Sequence, residues 1–318
     1  MISIAMTTYN GEKYLSDQLE SLLNQTMLPD EIIICDDCST DKTMSILKEY
    51  KSKHPSIIRL YANKHNVGYK NNFMRAIGLT TGDVIFLCDQ DDIWNSAKIS
   101  EMVGVLKQDG KICVLNTAMD FIDSEGKPLH PSYESKSSNM SIFNSLGNKN
   151  EIINVEYRKI RQGNISPGCT ICFTKDTKEI FLSSYDTSWP HDLCINYIGA
   201  LRNGLYFYSK SLTHYRIHRN NTIGLSFASR REHRSFKEKL KIVYANAQHD
   251  YMVAQSLSAF EHNEKYTNMI IQRYTVLSNR SLFQIVKLFN NNAYKECTSI
   301  KERIIDMIIC IVGAKNEC

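Results

Sequence analysis

The chain has 318 residues, of which 42% are hydrophobic and 23% are charged. Such a composition excludes a disordered protein, and the length suffices for one large α/β domain with a smaller appendage. The formal net charge of +4 does not favour nucleic-acid binding, although it leaves room for a basic patch that faces phosphate or an acidic membrane.

Segments typical of strands and of helices alternate along the first part of the chain. The alternation favours an α/β fold with a mostly parallel sheet flanked by helices. The polar residues 124–165 are predicted to form a long insertion or mobile loop. Strands are predicted at residues 2–6, 31–35, 57–61, 83–88, 112–121, 168–173 and 205–208, and helices near residues 14–23, 44–50, 73–77, 99–106, 178–182 and 193–201.

The N-terminus lacks a basic stretch before an apolar run, so we expect no signal peptide and a cytoplasmic protein with reduced thiols. No apolar run approaches the roughly 20 residues that a membrane-spanning helix needs. Two Cys-x-x-Cys pairs, Cys35 with Cys38 and Cys169 with Cys172, are compatible with a zinc site. Buried thiols are the favoured interpretation, because Cys35 ends an apolar run and Cys172 lies in a strand-like stretch.

Three polar segments follow predicted strands at the point where each strand ends. They are residues 7–10, 36–41 and 89–92. In a parallel sheet, ligands bind beyond the carboxyl ends of the strands. We therefore expect these three segments to converge in space on one binding site.

The third segment contains Asp89, Asp91 and Asp92 directly after a buried strand. Clustered carboxylates repel one another and are costly to remove from water unless a cation compensates. A divalent metal ion, Mg²⁺ or Mn²⁺, is the expected partner because such ions prefer oxygen ligands. The alternative is a solvated acidic turn that caps the next helix, and the position at a strand end favours the metal site.

Other candidate residues each have a structural alternative. Asp37 can accept a hydrogen bond from the N–H of a base or can form a turn. Tyr9 can stack on a base or simply pack. Asp192 can act as a general base or can be stabilised at a helix N-terminus. The segment 214–221 is either a ligand-binding segment or a basic surface loop, with His218 as a candidate metal ligand and Arg216 or Arg219 as candidates for a leaving diphosphate.

Six short motifs follow one another along the chain. They are Tyr9-Asn10-Gly11, Asp36-Asp37-Cys38-Ser39-Thr40-Asp41, Asn66-Val67-Gly68, Asp89-Gln90-Asp91-Asp92-Ile93-Trp94, His191-Asp192 and Tyr215-Arg216-Ile217-His218-Arg219-Asn220-Asn221. In this order they resemble the family 2 glycosyltransferases of GT-A fold, and especially bacterial rhamnosyltransferase-like members. The Asp-Asp-x-Ser-x-Asp and Asp-x-Asp motifs are individually weak, and the order and spacing of the whole set carry the resemblance. It covers about residues 1–225, and residues 226–318 would be a helical C-terminal region.

The resemblance implies an inverting transfer from a nucleoside-diphosphate sugar to a glycan or lipid-linked acceptor. L-Rhamnose is the donor sugar that it suggests. His191-Asp192 matches the rhamnosyltransferase-like branch, whereas Ile217 departs from its usual Gln, and His65 stands where a basic residue often precedes Asn-x-Gly. The implied donor-binding residues are Thr7, Tyr9, Asp37, Asn66, Gly68, Asp89, Arg216 and Arg219, the implied metal ligands are Asp91 and His218, and the implied base is Asp192.

The C-terminal region is basic near its start and apolar near its end. It either lies on a membrane surface or packs as a helical appendage on the first domain. The basic cluster consists of Arg230, Arg231, Arg234, Lys237, Lys239 and Lys241, and the apolar segment spans residues 304–312.

Two competing functions are compatible with parts of this pattern. A sugar nucleotidyltransferase also combines a nucleotide-binding sheet with a metal, but it needs a Gly-rich, Arg-containing loop near the N-terminus. Residues 2–11 contain a single glycine, Gly11, and no arginine. A binding module that has lost catalysis is the second competitor, and the intact set of Asp89, Asp91, Asp192 and His218 argues against it.

Overall fold

The computed structural model describes residues 1–129, 151–161, 163–218, 221 and 235–313. The strands in these residues are β1 (Ile2–Thr8), β2 (Glu31–Asp36), β3 (Ile58–Ala62), β4 (Val84–Cys88), β5 (Ile93–Trp94), β6 (Val114–Ile122), β7 (Pro128–Leu129), β8 (Ile152–Asn154), β9 (Ile171–Thr174) and β10 (Leu205–Arg216). The helices are α1 (Leu15–Leu23), α2 (Thr43–Lys53), α3 (Tyr69–Leu79), α4 (Lys98–Gln108), α5 (Tyr157–Ile160), α6 (Lys175–Ser184), α7 (His191–Leu201), α8 (Phe236–Ser256), α9 (Glu264–Asn279), α10 (Leu282–Phe289), α11 (Asn292–Cys297) and α12 (Ile300–Val312).

The strands form one mixed sheet in the order β3-β2-β1-β4-β9-β6-β10-β5. Strands β3, β2, β1 and β4 are mutually parallel, and β6 and β10 form a second parallel pair. Between these two groups, β9 runs antiparallel to both β4 and β6. The predicted α/β fold with a mostly parallel sheet is therefore confirmed. The strand predicted at residues 168–173 corresponds to β9, and only its antiparallel direction was not indicated by periodicity.

Successive apolar side chains of the inner strands lie on opposite faces of the sheet, as the two-residue period of a strand requires. On β2, Ile32 belongs to the core that also contains residues of α1, α2 and α4. Ile33 belongs to the other core, which contains residues of α3, α6 and α7. Because both faces are covered by helices, the strands are continuously apolar rather than alternating. The same geometry separates Cys35 from Cys172, which belong to the cores of opposite faces, so the four-cysteine zinc site is excluded.

Two predicted segments differ from what the structure shows. Strand β10 continues to Arg216 rather than ending at Tyr208, because it pairs with β6 as far as Arg216. Its residues Thr213 and His214 also pair with the short strand β5. The end of the predicted loop 124–165 contains β8 and α5, whose residues Tyr157 and Ile160 are buried in the core. The burial of these apolar residues therefore gives this end a defined structure despite its polar composition. Residues 130–150 lie outside the described part.

The helices α8 to α12 pack against one another and against α6, and their apolar residues join the core on that face of the sheet. A buried ionic cluster holds them together. Arg273 donates to both carboxylate oxygens of Asp306, and Arg161, which follows α5, bonds Asp250 and Glu302. The described helices include none that is long and apolar enough to cross a membrane. The predicted boundary at residue 225 lies outside the described residues.

Candidate active site

The carboxyl ends of β1, β2 and β4 meet at one edge of the sheet and are joined by hydrogen bonds, as their sequence positions predict. Thr8 Oγ1 donates to Asp36 Oδ2 at 2.8 Å, and the Asp37 amide donates to the Thr8 carbonyl at 2.8 Å. The Tyr9 amide donates to Gln90 Oε1 at 2.8 Å, and Gln90 Nε2 donates back to the Tyr9 carbonyl at 3.0 Å. Gln90, which sequence reasoning did not single out, therefore ties the acidic run to the end of β1.

Asp37 lies 3% exposed beneath a turn formed by residues 66–68. Its carboxylate accepts hydrogen bonds from Asn63 Nδ2 at 2.6 Å and from the amides of Val67 and Gly68, each at 2.9 Å. Gly68 has φ +81°, a conformation that residues with a Cβ rarely adopt. Three of the roughly four acceptor positions of the carboxylate are occupied, so one remains for a ligand.

The nucleoside-side candidates differ in accessibility. Tyr9 is 48% exposed directly after β1, whereas Thr7 is 8% exposed within the strand. Asn66 Nδ2 donates to the Asp37 carbonyl at 3.2 Å and its Oδ1 accepts from the Gly68 amide at 3.1 Å. Tyr9 is therefore an exposed aromatic ring, available for stacking at this edge of the sheet. Asn66 stabilises the turn above Asp37.

The acidic run lies between β4 and β5, with Asp89 and Asp91 half-buried and Asp92 fully buried. Burial, reinforced by the charges of Asp92, Asp91 and Asp192, raises the pKa of Asp89 well above its usual value. Burial and the charge of Asp91 raise the pKa of Asp92 to about 7. Asp92 Oδ1 accepts from the Arg216 amide at 3.0 Å, while Asp92 Oδ2 has no hydrogen-bond partner.

The pairing of β5 with β10 brings the segment 214–221 onto the acidic run. His218 Nε2 lies 2.8 Å from Asp91 Oδ2, so the two predicted metal ligands are adjacent. The side chains of Asp91 and His218 are 16% and 11% exposed, and the His218 ring packs 4.7 Å from the ring of Tyr14. Because residues 214–216 belong to β10, the alternative of a basic surface loop is wrong for them.

Arg216 has a different environment from the one expected of a diphosphate ligand. Its side chain is 2% exposed, and its Nε donates to the Asp91 carbonyl at 2.8 Å. Its guanidinium also bonds Asp17 at 3.1 Å and lies 4.6 Å from the centre of the Tyr14 ring. Because the donors of the Arg216 side chain bond other protein groups, Arg216 stabilises the backbone of the acidic run at Asp91. Arg219 lies outside the described residues.

Cys169 and Lys98 also lie at the acidic site, and the sequence analysis placed neither of them there. Ligand atoms of Asp89, Asp92 and Cys169 lie within 4.8 Å of one another. The buried Lys98 Nζ donates to the Cys169 carbonyl at 2.5 Å and to Thr213 Oγ1 at 2.9 Å, and burial lowers its pKa to about 8. The only sequence feature that could have indicated the burial of Lys98 is its place at the start of α4, on the same side as the apolar residues of that helix.

A divalent cation fits this donor set. Asp92 Oδ2 has no hydrogen-bond partner, and burial raises the pKa of Asp89 and Asp92 although Lys98 lowers both. Lys98 therefore compensates the negative charge of these carboxylates only in part. Carboxylate oxygens are the ligands that Mg²⁺ and Mn²⁺ prefer, so Asp89 and Asp91 suit them better than the Cys169 thiol does.

Asp192 lies in the first turn of α7, as predicted, and is 9% exposed. Its Oδ2 accepts from Asn164 Nδ2 at 2.8 Å, and its Oδ1 accepts from the Leu193 amide at 2.8 Å. Burial raises the pKa of Asp192 to about 6. The carboxylate therefore binds a proton in the pH range where a general base is most effective.

A chain of buried amides leads to Asp192. Asn116 donates to Asn196 at 2.7 Å, Asn196 donates to Asn164 at 2.7 Å, and Asn164 donates to the carboxylate. Ser166 Oγ donates to Asn116 Oδ1 at 2.8 Å and so begins the chain. In each link the asparagine nearer to Asn116 donates towards Asp192, a direction that stabilises the negative charge. The only sequence signal was Asn196 within an apolar helix.

The neighbouring His191 is buried and packs face to face on Phe73, with ring centroids 4.0 Å apart. Burial lowers the pKa of His191 to about 3, so the ring is neutral at physiological pH. A Cβ at Gly168 would lie 3.1 Å from His191 Nε2, 3.6 Å from Asp192 and 3.7 Å from Leu87. Gly168 thus lets the start of α7 approach the end of β4, next to the acidic run.

The acidic site at the carboxyl ends of the parallel strands is typical of an α/β enzyme, and comparison with known proteins identifies the family. The chain belongs to glycosyl transferase family 2, whose family description matches residues 3–181, more than half of its length. It has the GT-A fold, and it is a glycosyltransferase by that membership. The nucleotidyltransferase alternative is thereby set aside.

Among its relatives, the chain is 29% identical over 248 residues to the dTDP-rhamnosyl transferase RfbG of Shigella flexneri, covering 74% of this chain and 77% of that protein. It is 33% identical over 125 residues to the putative glycosyltransferase EpsE of Bacillus subtilis, covering 39% of this chain and 45% of that one. The crystal structure of S. aureus TarS 1–349 in complex with UDP superimposes with a TM-score of 0.55 at 17% identity, covering 98% of this chain and 81% of that one.

Proposed function

We propose that the protein is an inverting glycosyltransferase that moves a sugar from a nucleoside-diphosphate donor to a hydroxyl group of a cell-surface glycan or a lipid-linked oligosaccharide. One observation carries the proposal. A buried carboxylate with a pKa of about 6, Asp192, stands apart from the acidic run, yet its charge raises the pKa of Asp89. An inverting transfer requires this division, with a donor site on one side and a separate base on the other.

In this proposal the donor lies across the three strand ends. Tyr9 stacks on the base, and the free acceptor position of Asp37 receives a base N–H. The turn of Asn66 and Gly68 closes the nucleoside end, and the end of β1 at Thr7 lies along it. Asp89 binds the ribose.

Asp91 and His218, with Asp89 beside them, would hold a Mg²⁺ or Mn²⁺ ion that neutralises the diphosphate. Arg219, which lies outside the described residues, is the proposed cation for the leaving group. Arg216 acts indirectly, because its bond to the Asp91 carbonyl positions the acidic run.

The reaction of the acceptor then follows from the position of Asp192. The ionised Asp192 removes the proton from the acceptor hydroxyl as its oxygen forms a bond to the anomeric carbon. The bond from that carbon to the diphosphate oxygen breaks, and the electron pair leaves with the nucleoside diphosphate. A single displacement inverts the anomeric centre, and no covalent intermediate with the enzyme is needed.

The similarity to RfbG supports dTDP-rhamnose as the first donor to test, and the likeness to TarS supports UDP-sugars next. The experiment is a donor panel with Mg²⁺ or Mn²⁺ that measures released nucleoside diphosphate, followed by NMR assignment of the product anomer. Retention of configuration would refute the single displacement. A chain that binds donors but releases no diphosphate with any acceptor would be a binding module instead.

Asp192→Asn provides the matched variant, since it keeps the shape of the side chain and removes the base. We expect transfer to be lost while donor affinity, measured by calorimetry, is retained. Transfer at the parental rate would remove Asp192 from this role.

A further inference from the structure

The last helix of the described chain carries a stripe of large apolar side chains on its outer face. On α12, Ile300, Ile304, Met307 and Ile311 are 69%, 47%, 37% and 60% exposed. Their spacing of four, three and four residues places them on one side of an α-helix. The opposite side, with Asp306, Ile309 and Cys310, is already buried against the rest of the protein. The stripe is therefore not needed to hold α12 in place.

The neighbouring helix α10 repeats the arrangement. Leu282, Phe283 and Val286 are 53%, 72% and 61% exposed, while Ile285 and Leu288 form the buried side. Helices α10 and α12 pack against each other. We call their combined outer surface the α10–α12 face. A surface helix of a globular protein normally has polar residues on its outer side. Several large exposed apolar side chains on two helices that pack together indicate an interaction site.

The charges on this face have one sign. Lys287 and Lys301 are exposed, and the Lys287 ammonium lies 4.5 Å from the centre of the Phe283 ring. Helix α10 contains no acidic residue. The two acidic residues of α12 are engaged elsewhere, Glu302 with Arg161 and the buried Asp306 with Arg273. An apolar surface with free cations and no free carboxylate on these helices complements an anionic lipid surface.

We propose that the α10–α12 face lies on an anionic lipid bilayer, with its apolar side chains at the boundary of headgroups and acyl chains. At about 1.5 Å per residue, the 13 residues of α12 extend roughly 20 Å, too short to span the hydrocarbon core. Association with a second copy is disfavoured because a two-fold contact would set a face with only cations against itself. The predicted basic cluster plays no part in this argument, since Arg230, Arg231 and Arg234 lie outside the described residues.

The test uses the full chain and vesicles of phosphatidylcholine, with and without phosphatidylglycerol, in a sedimentation assay. We expect binding to the anionic vesicles that weakens as salt rises, because screening reduces the contribution of Lys287 and Lys301. Binding to phosphatidylcholine alone should be much weaker. Failure to sediment with anionic vesicles at low salt would overturn the proposal.

Two variants separate the face from the rest of the surface. Phe283→Ser combined with Ile304→Ser should reduce binding at least about tenfold, because two large apolar side chains no longer enter the boundary. Leu28→Ser, at a residue 52% exposed and remote from α10 and α12 in sequence, is the control and should bind like the parent. Equal binding by the double variant and the parent would overturn the proposal.

Folding and association are measured alongside. Far-UV circular dichroism and thermal unfolding should be unchanged in the double variant, since both side chains point outwards. Light scattering after size exclusion should give the same mass for parent and double variant. A parent dimer that the double variant abolishes, together with vesicle binding that it leaves intact, would assign the face to a second copy. The result does not depend on the proposed reaction, since no donor or acceptor is present.

Discussion

The amide chain that ends at Asp192 makes a quantitative prediction about the pH dependence of transfer. The hydrogen bond from Asn164 favours the ionised carboxylate and so opposes the effect of burial on its pKa. Asn164→Leu removes this bond and leaves Asp192 with the Leu193 amide. A hydrogen bond to a charged group contributes roughly 1.5–3 kcal/mol, and one pKa unit corresponds to about 1.4 kcal/mol. The pKa of Asp192 should therefore rise by roughly one to two units above its present value of about 6.

The base is active only when it is ionised, so transfer is lost as pH falls through its pKa. For the parent, kcat/KM should fall on the acid side below about pH 6, following the pKa of Asp192. For Asn164→Leu the same fall should begin roughly one to two pH units higher. At pH 9 the two enzymes should approach similar rates, because both carboxylates are ionised there. A merely destabilised protein would lose activity at every pH.

Two comparisons make the assay decisive. Asn196→Leu, one link further along the chain, should shift the acid side by a smaller amount, since Asn164 still reaches the carboxylate. Asn154→Leu is the matched control, because Asn154 bonds the carbonyls of Asn203 and Leu205 and does not contact Asp192. If the profile of Asn164→Leu coincides with that of the parent, the amide chain does not tune this carboxylate.

Three further outcomes follow from named contacts. Gly11→Ala should weaken donor binding strongly, measured by calorimetry, because the new Cβ would lie 2.2 Å from Gln90 Oε1 and break its link to Tyr9. Unchanged affinity would contradict this. Arg273→Leu should lower the free energy of unfolding in urea by roughly 3–5 kcal/mol, because Asp306 is left as an unpaired buried charge, and a loss below about 1 kcal/mol would refute the reasoning. Chelation by EDTA should abolish transfer and Mn²⁺ should restore it, whereas full activity in EDTA would exclude the metal.

Much of the fold could be predicted because both faces of the sheet are covered. An apolar run such as Ile32-Ile33-Ile34 must be buried on both faces of a sheet, which indicates a parallel sheet covered by helices. In such a sheet the polar residues that follow the strands lie at one edge. The meeting of Thr8, Asp36 and Gln90 at that edge follows from parallel order alone. The antiparallel β9 could not be predicted in the same way, because strand direction leaves no trace in a four-residue apolar run.

The parts of the site that were missed depend on tertiary contacts between distant segments. Nothing local indicates that Asn164, in a polar stretch, reaches Asp192, or that Cys169 lies beside Asp92. Arg216 was assigned to the diphosphate because its neighbours are polar. Its burial follows from the pairing of β5 with β10, which a two-residue strand does not reveal.

Arg161, which bonds the C-terminal helices, lies three positions before Asn164, which bonds Asp192. Arg161 bonds Asp250 on α8 and Glu302 on α12, while Asn164 bonds Asp192. Any shift of α12 against a surface would therefore act on Arg161, close in sequence to the residue that bonds Asp192, the proposed base. A chain cut before α8 would leave Arg161 without either carboxylate. The helices after residue 235 are therefore anchored three positions from Asn164, the residue that bonds the proposed base.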